Sequence, residues 1–151
     1  MAVIQRPWAA DLHHYWFHEL SPRDWYRRNP AIDDELRRRF GDVWAMLRHR
    51  PVQDFLDGPR GALAAVLLFD QVPRNIFRGD PHSFASDPLA QALVHASLAK
   101  GWHRALTRSE RQFLYMPLMH SEDIADQRLS VALFAQLGQS LSFARSHYAM
   151  V

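Results

Sequence analysis

The sequence predicts an all-α protein, a single domain (residues 1–151) of about seven helices that stack as antiparallel pairs. Apolar residues recur at helical spacing along most of the chain, and sustained alternation of apolar and polar residues is missing. Val, Ile and Thr, which favour strands, are scarce. Short breaks rich in Pro and Gly separate the helical stretches, with no linker or low-complexity segment between them.

The first helix is predicted over about residues 9–20 and ends at Ser21–Pro22. Asn29–Pro30 starts a second helix, because Asn can cap a helix and Pro fits its first turn. Gly41 either ends this second helix or only interrupts it. The apolar face of the first helix carries Leu12, Tyr15, Trp16 and Leu20. The stripe of the second lies on both sides of Gly41, at Ile32, Leu36, Phe40, Val43, Trp44 and Leu47.

The third predicted helix follows the break at Asp57–Pro59 and covers about residues 60–71. It is apolar on every side, which is typical of a central, buried helix. Pro73 has no amide hydrogen, so the carbonyl of Phe69 loses its usual helical partner. We therefore expect this helix to end or kink near Gln71, with Arg74 and Asn75 in a tight turn.

The second half of the chain carries three further start signals. Asp87–Pro88 starts a helix that Lys100–Gly101 ends, with a stripe at Leu89, Ala92, Leu93, Ala96 and Ala99. Residues 107–110 (TRSE) match a capping box. Pro117 is predicted to break or kink the helix that follows. Ser121 is predicted to cap another helix that Gly138 ends, and a last helical piece is predicted from about Ser140.

The bulk composition excludes several classes of protein. The longest apolar run covers residues 62–69, whereas a membrane span takes about 20 residues. The start MAVIQRPW carries no long apolar core of a secretory signal. The absence of cysteine excludes disulfides and thiolate catalysis and is consistent with a reducing compartment. We expect a cytoplasmic protein that does not enter a membrane.

The charge pattern argues against nucleic acid as a partner. Basic residues number 18, and all but Lys100 are arginines, yet the net charge is only +2. The densest cluster, Arg37–Arg39, follows Asp33–Glu35 on a predicted helix, an order that suits the helix dipole. Interleaved charges of this kind create no strong field over a surface. The alternative to a nucleic-acid surface is biased codon usage, with the arginines on solvated helix faces and in salt bridges.

Two segments carry more polar chemistry than packing requires. The first, Phe69–Gly79 (FDQVPRNIFRG), contains Asp70, Gln71, Arg74, Asn75 and Arg78. The second, Met119–Arg128 (MHSEDIADQR), contains His120, Glu122, Asp123, Asp126 and Gln127. Because Glu122 and Asp126 are four residues apart, as are Asp123 and Gln127, each pair is expected to share a helical face.

The interpretation that we favour for these segments is a structural network. In it, Arg74 and Arg78 pair with the acids of the second segment and hold two helix ends together. The alternative is a binding site for a small anion or a peptide, built from the two arginines and free turn amides. A metal site from His120, Glu122, Asp123 and Asp126 and acid–base catalysis by paired carboxylates are also conceivable, but the spacing matches no ligand signature. We therefore assign no metal, cofactor or catalytic residue.

The remaining histidines and aromatic residues suggest ordinary structure. The histidines at 13, 14, 49, 82, 95, 103 and 147 form no spaced cluster and are expected at the surface. The aromatic group Trp16, Phe17, Trp25 and Tyr26 is expected to pack a helix against a loop. No Gly-rich phosphate loop, G-x-S-x-G or H-E-x-x-H motif is present.

Four stretches together resemble the bacterial domain-of-unknown-function family 924: YWFHELSPRDWY, RGALAAVLLFDQVPRNIFRG, FASDPLAQAL and FLYMPLMHSEDIADQ. The resemblance runs in order from about Tyr15 to His147. It implies a tetratricopeptide-like all-α fold, and it implies that the two polar segments are family signatures. It assigns no activity and no role to any residue.

The family's members usually continue beyond the FARSH helix into a second arginine-bearing turn, which this sequence lacks. The resemblance thus implies an incomplete C-terminal end that is frayed or covered by a partner chain, for example in a homo-oligomer. The leading functional hypothesis is a non-enzymatic binding or scaffold module with a polar Arg/Asp pocket. The alternative is a small-molecule enzyme, such as a metal-assisted hydrolase, that uses the same residues.

Overall fold

The computed structural model describes residues 7–138 of the chain. Within that range seven helices and no strand are present, so the predicted all-α class is confirmed. The helices are α1, Pro7–His14 continued by a π-helical turn Tyr15–Glu19; α2, Pro22–Trp25; α3, Pro30–Leu47; α4, Pro59–Val66 continued by a π-helical turn Leu67–Gln71 and by Val72–Ile76; α5, Asp87–Ala99; α6, Arg108–His120; and α7, Ile124–Gln136. Short 3-10 turns lie at Val52–Phe55, Pro81–Phe84 and Trp102–Ala105.

Helix α4 is the centre of the core, as its sequence predicts. Every residue from Ala62 to Phe69 is at most 1% exposed. Helix α3 packs on the last turns of α4, while α1, α5 and α6 pack on its first turns. Helices α5, α6 and α7 also pack on one another in chain order. None of the helices in the described range is long and apolar enough to cross a bilayer.

Several helix ends lie where the sequence predicts them. Asn29 caps α3 by accepting a hydrogen bond from the amide of Ala31 at 3.0 Å. The capping box of Thr107 and Glu110 starts α6. Gly101 and Gly138 follow α5 and α7 in the left-handed conformation, each with φ of 72°. In this conformation glycine closes a helix without the steric cost of a Cβ atom.

Other boundaries differ from the prediction. Helix α3 runs through Gly41 without interruption. Ser21 ends α1 but also starts the short helix α2, where its amide donates to the Asp24 carboxylate at 2.8 Å. Asp123, rather than Ser121, caps α7 by accepting from the amide of Ala125 at 2.8 Å. The buried face of α5 is Ala90, Leu93, Val94 and Ser97, one position away from most of the predicted stripe.

The expected break at Pro73 is wrong. Val72 keeps right-handed helical angles, φ −58° and ψ −49°, and α4 continues to Ile76. The π-helical turn before Pro73 lets the amide of Val72 bond to the carbonyl of Leu67. The carbonyl of Phe69, whose usual helical donor is missing because residue 73 is proline, accepts from the Ser86 hydroxyl at 2.6 Å. Helix α6 likewise continues through Pro117 to His120.

Trp16, Phe17 and Trp25 of the aromatic group near α2 pack as predicted, whereas Tyr26 is 56% exposed. The rings of Phe17 and Trp25 lie edge to face at 6.0 Å, and Trp25 meets Phe113 of α6 at 4.9 Å. The indole of Trp25 donates to the carbonyl of Trp16 at 2.9 Å. These contacts fix the short helix α2 against α1 and α6. The expectations for Ser140, His147 and the C-terminal end lie outside the described residues.

Candidate functional site

The two polar segments meet at one buried carboxylate. Asp70 lies in the π-helical turn of α4 and is 0% exposed. The ring of His120, the last residue of α6, donates from Nδ1 to Oδ1 of Asp70 at 2.8 Å. The acid is buried because the π-helical turn lies in the core of the protein. The contact links residues 50 positions apart in the chain.

Two further side chains satisfy Asp70. Gln71 donates to Oδ2 at 2.8 Å, and Arg74 donates to Oδ1 at 3.2 Å. Burial alone raises the pKa of the Asp70 carboxyl, but the charges and hydrogen bonds of His120, Arg74 and Gln71 outweigh burial. The resulting pKa lies below the usual value, so Asp70 is ionised. Because an ionised carboxylate can only accept hydrogen bonds, the proton of the contact with His120 lies on Nδ1 of the His120 ring.

Arg74 is held by two carboxylates at once. Its guanidinium donates to both oxygens of Asp87 at 2.7 and 2.9 Å, in addition to Asp70. Burial opposes the charge of Arg74, but the hydrogen bonds and charges of Asp87 and Asp70 raise its pKa above the usual value. The guanidinium also lies over the ring of Phe84, 5.3 Å from its centroid.

These contacts overturn the predicted pairing of Arg74 and Arg78 with the acids of the second segment. Because α4 continues through Pro73, Arg74 faces Asp70 one turn earlier on the same helix and the first residue of α5, Asp87. Asp87 is available because Ser86, rather than Asp87, occupies the position before the helix. The two segments are joined by His120 instead.

Arg78 and Asn75 lie at a different place. Arg78 donates to the Asp33 carboxylate of α3 at 2.7 and 3.2 Å and to the Asn75 side chain at 3.0 Å. Both line a groove of about 260 Å³ next to α3, together with Arg28 and Arg37. The predicted residues of the first segment are therefore divided between two places.

The second segment is also divided. Asp126 accepts from the Ser121 hydroxyl at 2.7 Å and bonds to His95 at 2.8 Å. Gln127 donates to the carbonyls of Met119 and Ser121 at 2.7 and 2.6 Å. Both side chains therefore fasten the turn between α6 and α7.

Glu122 and Asp123 lie on that turn and are exposed, and α7 begins only after them. The predicted sharing of a helical face with Asp126 and Gln127 is therefore wrong. Glu122 has no hydrogen bond or ion pair with any residue in the range 7–138. Within the same range, no three His, Asp or Glu side chains converge as metal ligands would.

A cavity of about 740 Å³ opens where these elements meet, and we call it the acidic cavity. Its walls come from the end of α4, the start of α5 and the turn after α6. They are formed by Arg74, Phe84, Asp87, Pro88, Gln91, His120, Ser121, Glu122 and Asp123. Five of these residues were not among the predicted site residues: Phe84, Asp87, Pro88, Gln91 and Ser121. The start signal at Asp87–Pro88 was visible in the sequence, but it indicated only a helix end.

The charge of this cavity is negative. Three carboxylates line it, those of Asp87, Glu122 and Asp123, and the carboxylate of Asp70 lies directly behind. Among the described residues Arg74 is the one arginine in the lining, and it is already bonded to Asp70 and Asp87. A cleft lined by one sign of charge attracts ligands of the opposite sign.

Three comparisons with known proteins bear on this chain. A family model described as "Bacterial protein of unknown function (DUF924)" matches residues 12–151. The chain is also similar to a solved structure, a protein of unknown function, ATU0120, from Agrobacterium tumefaciens. The two share 35% sequence identity with a TM-score of 0.89, over 95% of this chain and 81% of the other. Comparison with the curated proteins gave no match.

Proposed function

We propose that this chain, which belongs to the bacterial family of unknown function DUF924, is a binding protein whose acidic cavity takes a small organic cation. The ligand class is an amine or a guanidinium compound. The observation that carries the proposal is the saturation of Arg74 by Asp70 and Asp87, beside two acids that face the cavity without a cationic partner among residues 7–138.

The charges of the cavity favour this class over the expected anion or peptide. An anion would have to displace Asp87 from a two-point contact with Arg74, at 2.7 and 2.9 Å. It would also approach Glu122 and Asp123 and be repelled by them. A cation meets the reverse situation, because Glu122 has no ion pair within residues 7–138 and Asp123 has only an amide partner there.

The size and apolar walls fit a small molecule. Ligand cavities in proteins usually measure about 300–1,000 Å³, and this one measures about 740 Å³. Phe84 is 59% exposed, which is unusual for a large apolar side chain, and it forms one wall with Pro88. The methylene groups of an aliphatic amine can pack against these two residues while its charged end meets Glu122.

The proposal keeps the non-enzymatic hypothesis over the metal-assisted hydrolase, since no observation favours the latter. Two further features belong to the proposal. The packing of α4, α5, α6 and α7 in chain order supports a tetratricopeptide-like stack. The absence of cysteine is the one observation that supports a cytoplasmic location.

The first prediction concerns the charges of Glu122 and Asp123. In the double variant E122Q/D123N both charges are lost, but the shape stays and the Asn side chain can still cap α7. We expect titration calorimetry with putrescine and with arginine to show binding weakened about five- to tenfold. Raising the salt concentration should weaken wild-type binding in the same direction.

The matched control is D11N/D42N, which also removes two carboxylate charges. Asp11 and Asp42 are exposed, lie outside the cavity and have no hydrogen bond or ion pair with residues 7–138, so this variant changes net charge alone. An equal loss of binding in D11N/D42N would show that the effect comes from net charge and not from the cavity. Two results would overturn the proposal. One is an affinity for acetamide, which carries no charge, that equals the affinity for putrescine; the other is tighter binding of phosphate than of putrescine.

A further inference from the structure

A second cavity, of about 360 Å³, lies at the other end of α6 and shares no residue with the acidic cavity. We call it the aromatic cavity. It is bounded by the end of α1, the short helix α2, the first turn of α4 and the first turn of α6. Its walls are His13, Phe17, His18, Pro22, Trp25, Arg60, Thr107, Ser109 and Glu110.

Glu110 is the buried charge of this cavity, at 3% exposure. It accepts from the amide of Thr107 at 2.9 Å and from Nε2 of His13 at 2.6 Å. Burial raises the pKa of the Glu110 carboxyl, but the Thr107 amide and His13 outweigh it and leave the pKa below the usual value. The capping box alone accounts for the contact with Thr107. The contact with His13 in addition fixes that ring in the wall.

The aromatic wall is rigid and remains partly accessible. The ring of Phe17 lies 4.9 Å from that of His13 and 6.0 Å from that of Trp25. Trp25 is in turn held by Phe113 behind it and by its indole hydrogen bond to Trp16. Phe17 and Trp25 are both only half-buried, so a planar molecule can contact their rings.

The rim of the aromatic cavity carries positive charge. The side chain of Arg60 is 73% exposed, and its Nε lies 3.9 Å from the Glu110 carboxylate. His18 is exposed beside it and adds a second nitrogen base. The one carboxylate in the described wall is already engaged by His13 and Thr107, so the Arg60 guanidinium keeps donors for another acceptor. The hydroxyl groups of Thr107 and Ser109 add further donors.

We propose that the aromatic cavity is a second binding site and that it takes an aromatic carboxylate. The ring of the ligand packs against Phe17 and Trp25, and its carboxylate meets Arg60 and His18. A simple inorganic anion would leave the aromatic wall unused, and an aliphatic amine would be repelled by Arg60. The site involves none of the residues of the acidic cavity, so either proposal can fail without the other.

The test uses the indole N–H signals of the ¹⁵N-labelled protein, with benzoate as the probe and benzamide as its uncharged counterpart. The variant W25F identifies the Trp25 signal by its disappearance. We expect benzoate to shift the Trp25 signal in a saturable way, and R60Q to weaken benzoate binding about fivefold. R60Q should also remove the preference for benzoate over benzamide.

The matched control is R128Q, because Arg128 is exposed, lies outside both cavities and has no hydrogen bond or ion pair with residues 7–138. It should bind benzoate as the wild type does. Three results would overturn the proposal: a Trp25 signal that benzoate does not move, equal affinities for benzoate and benzamide, or equal losses in R60Q and R128Q. Unchanged signals of the remaining tryptophans in R60Q establish that the variant is folded.

Discussion

The Asp70 carboxylate lies in the most apolar helix of the protein, where an unpaired charge would cost several kcal/mol. Three side chains offset that cost, and they come from three different directions. Gln71 is its neighbour in the chain, Arg74 lies one turn later, and His120 lies 50 residues away. Because these groups hold one another, Asp70 positions both Arg74 and His120 at the acidic cavity.

We predict that D70N lowers the free energy of unfolding by about 2–4 kcal/mol, because the variant removes the charged acceptor of His120 and one of the two carboxylates that hold Arg74. Urea unfolding followed by far-UV circular dichroism measures the change. The same experiment on D42N, an exposed acid, should give a change within about 0.5 kcal/mol. A D70N variant as stable as the wild type would show that the network does not stabilise the fold.

The acid limb of the stability profile follows from the lowered pKa of Asp70. An unfolded Asp titrates near about pH 3.9, and the folded carboxyl titrates below that value. Asp70 therefore stabilises the protein fully at neutral pH, and this contribution is lost as the pH falls below about 4 through its folded pKa. The stability difference between wild type and D70N should shrink over that range. A difference that stays constant down to about pH 3 would contradict this account.

At the scale of the helix, the π-helical turn of α4 keeps the chain helical across Pro73. Pro73 has no amide hydrogen for the Phe69 carbonyl, and the hydroxyl of Ser86 donates to that carbonyl instead. The same hydroxyl accepts from the indole of Trp44 at 3.0 Å. One buried hydroxyl thus joins α3, α4 and the residue before α5. Through this contact the first residue of α5, Asp87, is placed within reach of Arg74.

We predict that S86A costs about 1–3 kcal/mol, because the Phe69 carbonyl and the Trp44 indole both lose a buried partner. In a P73A background the cost of S86A should be smaller, because the substituted alanine has a backbone amide that can supply the bond that proline cannot. A double-mutant cycle by urea unfolding measures this coupling. Strictly additive effects would show that the Ser86 contact does not compensate for the proline.

Start signals at Asn29 and Thr107 could be predicted from the sequence because caps depend on near neighbours. The continuation through Pro73 could not, because the compensating hydroxyl lies 17 residues beyond the Phe69 carbonyl. The same reason limits the prediction of the site. Asp70 and His120 stand out as polar residues beside apolar runs, but only the packed helices bring them together. Asp87 carries a cap signature in the sequence, and only the fold makes it a partner of Arg74.

At the scale of the whole molecule, α6 separates two cavities of opposite character. The aromatic cavity lies at its first turn and the acidic cavity at its last residue. Helix α6 has 13 residues, so the two sites are about 20 Å apart along its axis. Glu110 at the start and His120 at the end match the sign of the helix dipole at each terminus. A single rigid helix therefore positions one wall of each proposed site.

The expected single-domain organisation leads to one further prediction. If the chain is one cooperative unit, its secondary structure and its tryptophan environments should be lost together on unfolding. Trp16, Trp44 and Trp102 report on different parts of the chain. Urea transitions followed by tryptophan fluorescence and by far-UV circular dichroism should therefore have the same midpoint. Two separate midpoints would show that part of the chain unfolds independently.

The contact between Asp70 and His120 also has a consequence for synthesis of the chain. A ribosome adds about 5–20 residues per second, so the 50 residues that separate the pair take about 3–10 s to make. Until then, the nascent α4 carries an acid that its apolar neighbours cannot bury at low cost. We therefore expect stable burial of the central helix to wait until α6 has been made, because His120 becomes available only then.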